Sequence, residues 1–270
     1  MGERPSWAPD EVDITVPSVA RVYDFYLGGS HNFDADRAFA QDVLAVLPDM
    51  PRVAQENRSF LRRAVRHLCA AGIDQFLDLG SGIPTVGNVH EVAQACNPGA
   101  RVVYVDHDPV AVTHSRRLLG TDDRVTVVAG DLRKPDAVLT DPAVRDHLDL
   151  SRPVAVLLVS VLHFVSDDQR PADFIEHYLA QAAPGSHLVI SHATADATAG
   201  AADAQGLYNR RRSPNPMRMR SRDEITALFG DLMLLDPGVV RIPQWRPDAP
   251  EDVPADVDAY PGFAGVARRR

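Results

Sequence analysis

Residues 75–82 read Gln-Phe-Leu-Asp-Leu-Gly-Ser-Gly, a short apolar run that ends in two closely spaced glycines. Similar runs, rich in β-branched residues and apolar without alternation, follow at residues 101–106, 124–129, 153–160 and 186–191. Helical patterns fill most of the gaps between the runs, at residues 87–96, 109–119, 143–148 and 168–182. Strands that are apolar on both faces and alternate with helices predict a parallel sheet that is covered on both sides.

The pattern becomes irregular after the fifth run. Residues 193–219 are mostly small, polar or basic, and we interpret them as an inserted excursion. Ser221 and Glu224 form a capping box, which predicts a helix as far as Phe229. A sixth and a seventh strand are predicted on either side of an acidic, proline-rich loop (246–261), at residues 232–235 and 263–269. The sequence therefore predicts an α/β protein with a doubly wound, mostly parallel sheet of seven strands.

The sequence before the first strand predicts an arm followed by helices. Residues 1–17 are rich in proline and charge, and Ser18 is placed to cap the first helix. The helical patterns lie at residues 19–26, from Asp34 or Asp36 to Leu47, and from about Pro51 to Ala71, and glycines end the first and the third. We therefore divide the chain into an N-terminal arm and helical cap, residues 1–72, and a second region, residues 73–270, which together form one structural unit.

The composition excludes several classes of protein. Hydrophobic residues make up 45% and charged residues 24%, which argues against global disorder. The formal net charge of −9 makes nucleic acid a poor partner, because an acidic surface repels phosphates. The two cysteines, Cys69 and Cys96, are too few for a disulfide framework or a cysteine-based zinc site.

No segment predicts secretion or a membrane span. The first 17 residues lack the apolar core of a signal peptide, and the longest apolar run is far shorter than the ~20 residues of a membrane helix. We therefore expect a cytoplasmic protein with no membrane partner. We also expect no metal, because the histidines lack metal-ligand spacing with acids or cysteines. The sequence carries no signal for the oligomeric state.

Ligands of open parallel sheets bind at the carboxyl ends of the strands, near the point where the strand order reverses. After the first strand, Gly80 and Gly82 allow a sharp turn and a close approach of the backbone to a ligand. After the second strand, Asp106 can accept both hydroxyls of a ribose, and His107 lies beside it. These two strand ends predict a site for a nucleoside.

The third and fourth strand ends extend this site. Asp131 can accept from the exocyclic amine of an adenine, and the neighbouring Leu132 can lie against the purine face. Ser160 and His163 follow the fourth strand. Each feature alone has a simpler explanation, since a glycine pair often marks an ordinary turn and a lone aspartate often caps a helix, as we expect for Asp108. Their order along three consecutive strands is more specific and predicts an adenosine.

The residues around the glycine pair discriminate between adenosine cofactors. The dinucleotide fingerprint G-x-G-x-x-G requires a third glycine, and Thr85 stands in its place. Asp78 precedes the first glycine by two residues, where a carboxylate would repel a pyrophosphate. A ligand with an ammonium group and a sulfonium would be attracted instead. This argument from charge favours S-adenosylmethionine over NAD.

These motifs resemble those of class I S-adenosylmethionine-dependent methyltransferases, which the residues Asp78-x-Gly80-x-Gly82, Asp106, Gly130-Asp131 and Ser160-Val-Leu-His163 represent in this sequence. The helical cap, with Arg21-Val-Tyr23 to Asp36-Arg37 and Asn57 to Arg63, is similar to the opening of an actinobacterial family of S-adenosyl methyltransferases, and 237–247 resembles a later motif of that family. The resemblance runs from about Ser18 to the end of the chain. It implies a Rossmann-like sheet whose last strand is antiparallel, and S-adenosylmethionine as cofactor. It implies no particular acceptor.

Methyl transfer from a sulfonium mainly requires alignment of donor and nucleophile and exclusion of water. If a general base is needed, His163 is the best-placed candidate, although it can equally be a packed histidine. Tyr23, Gly29 and Asn32 suggest a lid over the methionine part of the cofactor, a reading that the resemblance favours. The alternative is a helix whose aromatic stripe packs on the domain. Arg58 is a further candidate near this site.

The segment from Tyr208 to Arg222 contains six arginines within residues 210–222. In class I methyltransferases the stretch after the fifth strand often borders the acceptor site, so we put forward the hypothesis that these arginines bind an anionic small molecule or an acidic peptide. The alternative is a solvated loop that offsets an acidic protein.

Three functions remain after these steps. The first is methyl transfer to a small-molecule acceptor. The second is a regulator or sensor that binds S-adenosylmethionine without turnover. The third, an NAD-linked oxidoreductase, is disfavoured by Asp78 and Thr85.

Overall fold

The structure is a computed structural model that describes residues 5, 8–10, 12–84, 87–120, 122–196, 200–210 and 216–270. In this part of the chain, eight strands form one sheet with the order β3-β2-β1-β4-β5-β8-β6, and β7 also pairs with β8. The strands are β1 Gln75–Leu79, β2 Arg101–Asp106, β3 Val125–Ala129, β4 Ala155–Val159, β5 His187–Ala193, β6 Met233–Leu234, β7 Val240–Arg241 and β8 Gly262–Arg268.

Strands β1 to β5 are parallel, and β8 is antiparallel to β5, β6 and β7. The prediction of a doubly wound, mostly parallel sheet with an antiparallel last strand is confirmed. The sheet has eight strands rather than the predicted seven, because Val240 and Arg241 pair with Ala264 and Phe263. The strand order reverses between β1 and β4, so a crevice is expected at their carboxyl ends.

The helices in the described ranges are α1 Val19–Tyr26, α2 Asp34–Val46, α3 Met50–Ala70, α4 Val89–Cys96, α5 Pro109–Leu119, α6 Pro135–Leu139, α7 Pro142–His147, α8 Pro171–Gln181, α9 Ala201–Arg210 and α10 Arg222–Ala227. Helices α6 and α9 were not predicted from the sequence. Helix α9 lies inside the supposed excursion and buries Ala201, Ala204 and Tyr208, which recur at helical spacing. None of these helices is long and apolar enough to cross a membrane.

Alternate residues of the strands enter two separate cores. Leu77 and Val103 pack on one face of the sheet, in the cluster that includes α8. Phe76 and Val102 pack on the other face, in the cluster that includes Phe60 and its neighbours on α3. Both faces are therefore buried, which explains why the strands are mostly apolar without alternation. Helix α3, the last helix of the predicted cap, lies on the sheet itself.

A third cluster joins α1, α2 and α9 above the carboxyl ends of the strands. From here on, the cap means these three helices and no longer the predicted cap of residues 1–72. Phe39 of α2 and Tyr208 of α9 stack edge to face with ring centroids 4.8 Å apart. Apolar packing between α2 and α9 therefore closes the cap over the crevice. Helix α9, which lies in the supposed excursion, is one of the two helices in this contact.

Buried charges fasten the cap to the sheet. The Arg21 guanidinium donates to Asp36 at 2.8 Å and approaches Asp108, on the loop after β2, at 3.3 Å. Ser18 precedes α1, but its hydroxyl donates to Asp108 instead of capping the helix as predicted. Arg21, Asp36 and Asp108 are all buried. Because an isolated buried charge is expensive, this network holds α1 against the loop that follows β2.

Candidate functional site

A cavity lies at the carboxyl ends of β1, β2, β4 and β5, under the cap. The space between its walls, including open solvent at its mouth, is about 1380 Å³. Of the residues predicted to form the site, Tyr23, Asp78, Gly80, Gly82, Asp106, His107, Ser160 and His163 line it. Gly29, Asn32, Asp131 and Leu132 are not part of its wall.

The glycine turn after β1 is compact on one side and open on the other. Gly80 has φ 77° and Gly82 has φ 65°, values that favour glycine. A Cβ atom on Gly80 would lie 2.4 Å from Val161 Cγ2, whereas one on Gly82 would meet no atom within 4 Å. The Ser81 hydroxyl between them is buried and has no hydrogen-bond partner in the described part of the chain. The turn therefore leaves open space beside Gly82 and one unpartnered hydroxyl for a ligand.

Asp78 is a buried acid in the wall of the cavity, with 6% of its surface exposed. Burial raises the pKa of its carboxyl to about 7, the Arg58 guanidinium opposes this rise, and the charge of Asp106 adds to it. A cationic group placed beside Asp78 would favour the ionised form. The site is therefore electrostatically suited to a ligand that carries a positive charge.

Asp106 organises the loops around it. Its Oδ2 accepts a hydrogen bond from the Gly82 N–H at 2.7 Å, and its Oδ1 accepts one from the Asp108 N–H at 2.8 Å. Each carboxylate oxygen has a second lone pair, so both can still accept from a ligand hydroxyl. Asp108 caps α5 by accepting from the Val110 N–H at 2.8 Å, which confirms the role expected for it.

The backbone at the end of β4 is strained where it borders the cavity. Ser160 has φ 59°, in the left-handed region that residues other than glycine rarely adopt. Its N–H donates to Ser191 Oγ at 2.9 Å, and the Ser191 hydroxyl donates to Asn57 Oδ1 at 2.6 Å. Strained residues of this kind persist only where surrounding contacts hold them, and they are common at functional sites.

The same hydrogen-bond chain continues into the cap. Asn57 Nδ2 donates to the Tyr23 hydroxyl at 2.9 Å, and that hydroxyl donates to the Ala54 carbonyl at 3.2 Å. Asn57 therefore links α1 to Ser191 and, through it, to Ser160. Asn57 and Ser191 were not predicted as site residues, because their partners lie far away along the chain. The one indication in the sequence was that Asn57 begins a motif, Asn57 to Arg63, which resembles a motif of the actinobacterial methyltransferase family.

The turn after α1 is held by Asp24. Its Oδ2 accepts from the His31 N–H at 2.9 Å and from Asn32 Nδ2 at 2.8 Å. A Cβ atom on Gly29 would lie 2.0 Å from Asp24 Oδ1, so only glycine fits there. Gly29 and Asn32 thus shape the turn, and of the three lid candidates only Tyr23 contacts the cavity.

The residues predicted to hold an adenine lie outside the cavity wall. Burial opposes ionisation of Asp131, but hydrogen bonds from the Arg133 guanidinium and N–H outweigh it and lower the pKa of Asp131. The Arg133 Nε to Asp131 Oδ1 distance is 2.8 Å. Leu132 is buried in the core that includes Val138. An adenine amine would have to share the Asp131 carboxylate with Arg133.

His163 lines the cavity together with His192. Burial, the nearby His192 and the Arg220 charge hold the pKa of His163 well below its usual range. Because a base works best when its pKa is near the working pH, His163 is a weak base in this setting. Burial lowers the pKa of His192 to about 3. Arg220 can only donate, so the 2.9 Å contact fixes His192 Nε2 as an acceptor.

The described arginines of the predicted excursion do not line the cavity. Arg218 and Arg220 both bind Asp167, at 2.9 and 2.7 Å, and Arg222 Nε donates to the Val239 carbonyl. None of these, nor Arg210, is among the described residues that line the cavity. Thr85, Arg211 and Arg212, which also entered the sequence analysis, lie outside the described residues. Arg58, in contrast, does line the cavity and donates to Asn88 at 2.8 Å.

Comparison with known proteins agrees with this geometry. The family model described as S-adenosyl methyltransferase matches residues 5–270. A provisionally named methyltransferase from Thermobifida fusca is 42% identical, with a TM-score of 0.92 over 98% of this chain and 100% of that one. A DUF574 family protein from Streptomyces avermitilis is 36% identical, with a TM-score of 0.91 over 96% of this chain and 99% of that one.

A more distant similarity shows the fold alone. The N-methyltransferase NodS from Bradyrhizobium japonicum is 16% identical, with a TM-score of 0.50 over 82% of this chain and 98% of that one. No curated protein sequence matches the chain. The family model and the two similar structures together span nearly the whole sequence, including the cap. The chain therefore belongs to the S-adenosyl methyltransferase family, with the class I methyltransferase fold and S-adenosylmethionine as its cofactor.

Proposed function

We propose that this chain transfers the methyl group of S-adenosylmethionine to a small-molecule acceptor that binds in the same cavity. The observation that supports this most directly is the extent of the cavity, which continues from the acids at the strand ends to the apolar residues of the cap. The apolar walls under the cap lie beyond the strand-end residues that fit the cofactor. A protein that only binds the cofactor has no need of this second, apolar region.

The residues at the strand ends fit the cofactor. Asp78 would pair with its ammonium group, and the two oxygens of Asp106 would accept from the ribose hydroxyls. The Gly80–Gly82 turn, with its unpartnered Ser81 hydroxyl, would face the part of the cofactor that lies between the ammonium group and the ribose. We retain Asp131 and Leu132 as the residues at the adenine, with the Asp131 carboxylate shared with Arg133.

The cofactor supplies a methyl group already activated by a sulfonium, so that the acceptor lone pair bonds to the methyl carbon while the carbon–sulfur bond breaks and its electrons remain on sulfur. The chain has to align the acceptor with this bond and exclude water. Tyr23, Asn57 and Ser191 hold α1 and the strained Ser160 in one arrangement, which suits this task. His163, as a weak base, would act on an acceptor that needs little help to lose its proton.

Two measurements test the proposal. Calorimetry should show binding of S-adenosylmethionine and S-adenosylhomocysteine but not of NAD. Incubation with methyl-labelled cofactor and a metabolite extract should then transfer label to an extractable small molecule, and the Asp78→Asn variant should transfer none. Binding without any label transfer, in extracts of varied origin, would instead favour a regulator or sensor.

A further inference from the structure

The cavity has two chemically different ends. The strand ends contribute the acids described above. The opposite end, which we call the cap end, is formed by Tyr26, Leu47, Met50, Tyr208, Met217 and Met219. All six belong to, or pack against, the single apolar cluster that joins α1, α2 and α9. This end is the space that the cofactor residues leave for an acceptor.

The described residues of the cap end offer no charge to an acceptor. The charged side chains among the described lining residues are Arg58, Asp78, Asp106 and Asp108, and none of them belongs to the cap-end cluster. Arg218, Arg220 and Arg222, which follow α9 in the described part of the chain, are occupied by Asp167, Glu224 and backbone carbonyls. A carboxylate in the cap end would lose its hydration without gaining a cationic partner from the described residues, which disfavours an anionic acceptor.

One polar group of the cap end is poorly satisfied. The Tyr26 hydroxyl is buried and makes no well-aligned hydrogen bond in the described part of the chain, although the Tyr208 hydroxyl is close enough to interact with it. Burial and this contact raise the pKa of Tyr26 far above its usual value, so the hydroxyl stays neutral. A buried hydroxyl with only a poorly aligned partner is costly, and a polar group on a bound molecule would reduce that cost.

The remaining surface suits a flat apolar body. Met50, Met217 and Met219 are flexible and polarisable, and methionine sulfur makes favourable contacts with aromatic rings. Tyr208 and Phe164, which also lines the cavity, have ring centroids 5.5 Å apart. We propose, resting on the function proposed above, that the acceptor is an uncharged molecule with an aromatic body and a polar group that hydrogen-bonds to Tyr26.

The experiment uses the full chain saturated with S-adenosylhomocysteine and three probes of similar shape: naphthol, its carboxylate counterpart naphthoate, and unsubstituted naphthalene. Calorimetry or fluorescence gives their dissociation constants. We expect naphthol to bind at least about tenfold more tightly than naphthoate, because a buried charge without a partner costs more than a single neutral hydrogen bond returns. Naphthalene should bind, but more weakly than naphthol.

Tyr26→Phe removes only the Tyr26 hydroxyl oxygen. It should weaken naphthol roughly three- to tenfold, the effect of one hydrogen bond, and leave naphthalene unchanged. Tyr178→Phe is the matched control, since the Tyr178 hydroxyl is also buried and makes no well-aligned hydrogen bond in the described part of the chain but lies on α8 outside the cavity wall. This control should bind all probes like the wild type.

The inference is overturned if naphthoate binds as well as naphthol, if no probe binds, or if Tyr26→Phe behaves like Tyr178→Phe. These outcomes count only in samples that bind S-adenosylhomocysteine in the same titration. Failure to bind that compound would instead contradict the proposed function, so the two failures can be distinguished.

Discussion

Replacement of Asp78 by asparagine tests the electrostatic basis of the site, because the same residue should have opposite effects on stability and on binding. Burial raises the pKa of the Asp78 carboxyl to about 7 in the free protein. A carboxyl whose folded-state pKa is raised stabilises the protein below its unfolded-state pKa, and this contribution is lost as the pH rises through 7. Asp78→Asn should therefore raise the melting temperature of the free protein at about pH 8.

Binding should depend on pH in the opposite sense. The ammonium group of S-adenosylmethionine pairs only with the ionised carboxylate, whose fraction falls from roughly nine-tenths near pH 8 to roughly one-tenth near pH 6 for a pKa of about 7. The dissociation constant should rise about tenfold over this range, which corresponds to ~1.4 kcal/mol. In Asp78→Asn, binding should be weak and should not change in this way.

The assay is calorimetric titration with S-adenosylmethionine between these two pH values, combined with thermal melts of the free proteins. Asp248→Asn is the control, because that acid is exposed and pairs with Arg66 at the surface. The reasoning is refuted if the wild-type affinity is the same at both pH values, or if Asp78→Asn retains wild-type binding. A melting temperature of Asp78→Asn below that of the wild type at about pH 8 would contradict the raised pKa.

Three further predictions concern the cap and the turns. Arg21→Met leaves Asp36 and Asp108 buried without their cation and should cost about 3–5 kcal/mol in urea unfolding, whereas Arg52→Met, at an exposed pair with Asp256, should cost at most about 1 kcal/mol; equal losses would show that the buried network is unimportant. Asn57→Ala removes the partner of Tyr23 and Ser191 and should cost about 1–3 kcal/mol; it should also weaken binding of S-adenosylmethionine in calorimetry, and unchanged affinity would separate the Ser160 geometry from the site. Gly82→Ala places a methyl group in open space and should lose cofactor binding while losing only about 1–2 kcal/mol of stability. Gly80→Ala should be markedly less stable than Gly82→Ala, because its Cβ would lie 2.4 Å from Val161. The opposite order of stability in chemical denaturation would contradict the geometry of the turn.

The parallel core of the fold was predictable because its strands are buried on both faces. Most residues of 75–79 and 101–106 are apolar on both faces, and this pattern needs no knowledge of their partners. Strand β7 could not be predicted in the same way, because two residues are too short to show a period. Helix α9 shows its period only in Ala201, Ala204 and Tyr208, where small side chains give a weak apolar signal.

The candidate site also has a part that could be predicted from the sequence and a part that could not. Asp78, Gly80 and Asp106 lie at the carboxyl ends of strands, so topology alone brings them to one edge of the sheet. The environment of His163 depends on Arg220 and His192, which are remote in sequence. Asp131 instead pairs with Arg133, only two residues away, and this local pair was not considered in predicting an adenine contact. Asn57 is the clearest residue that was not predicted, since its role depends on Ser191, which is remote in sequence.

The position of β8 has a consequence for biosynthesis. Among the described residues, β6 and β7 pair only with β8, and β8 also covers the free edge of β5. The ribosome must therefore release residues 262–268 before this side of the sheet can assemble. Until then the nascent chain exposes β5 as an unprotected edge, the kind of strand that recruits other chains into aggregates. Chaperone dependence during expression should accordingly be most acute in variants that weaken the last strand.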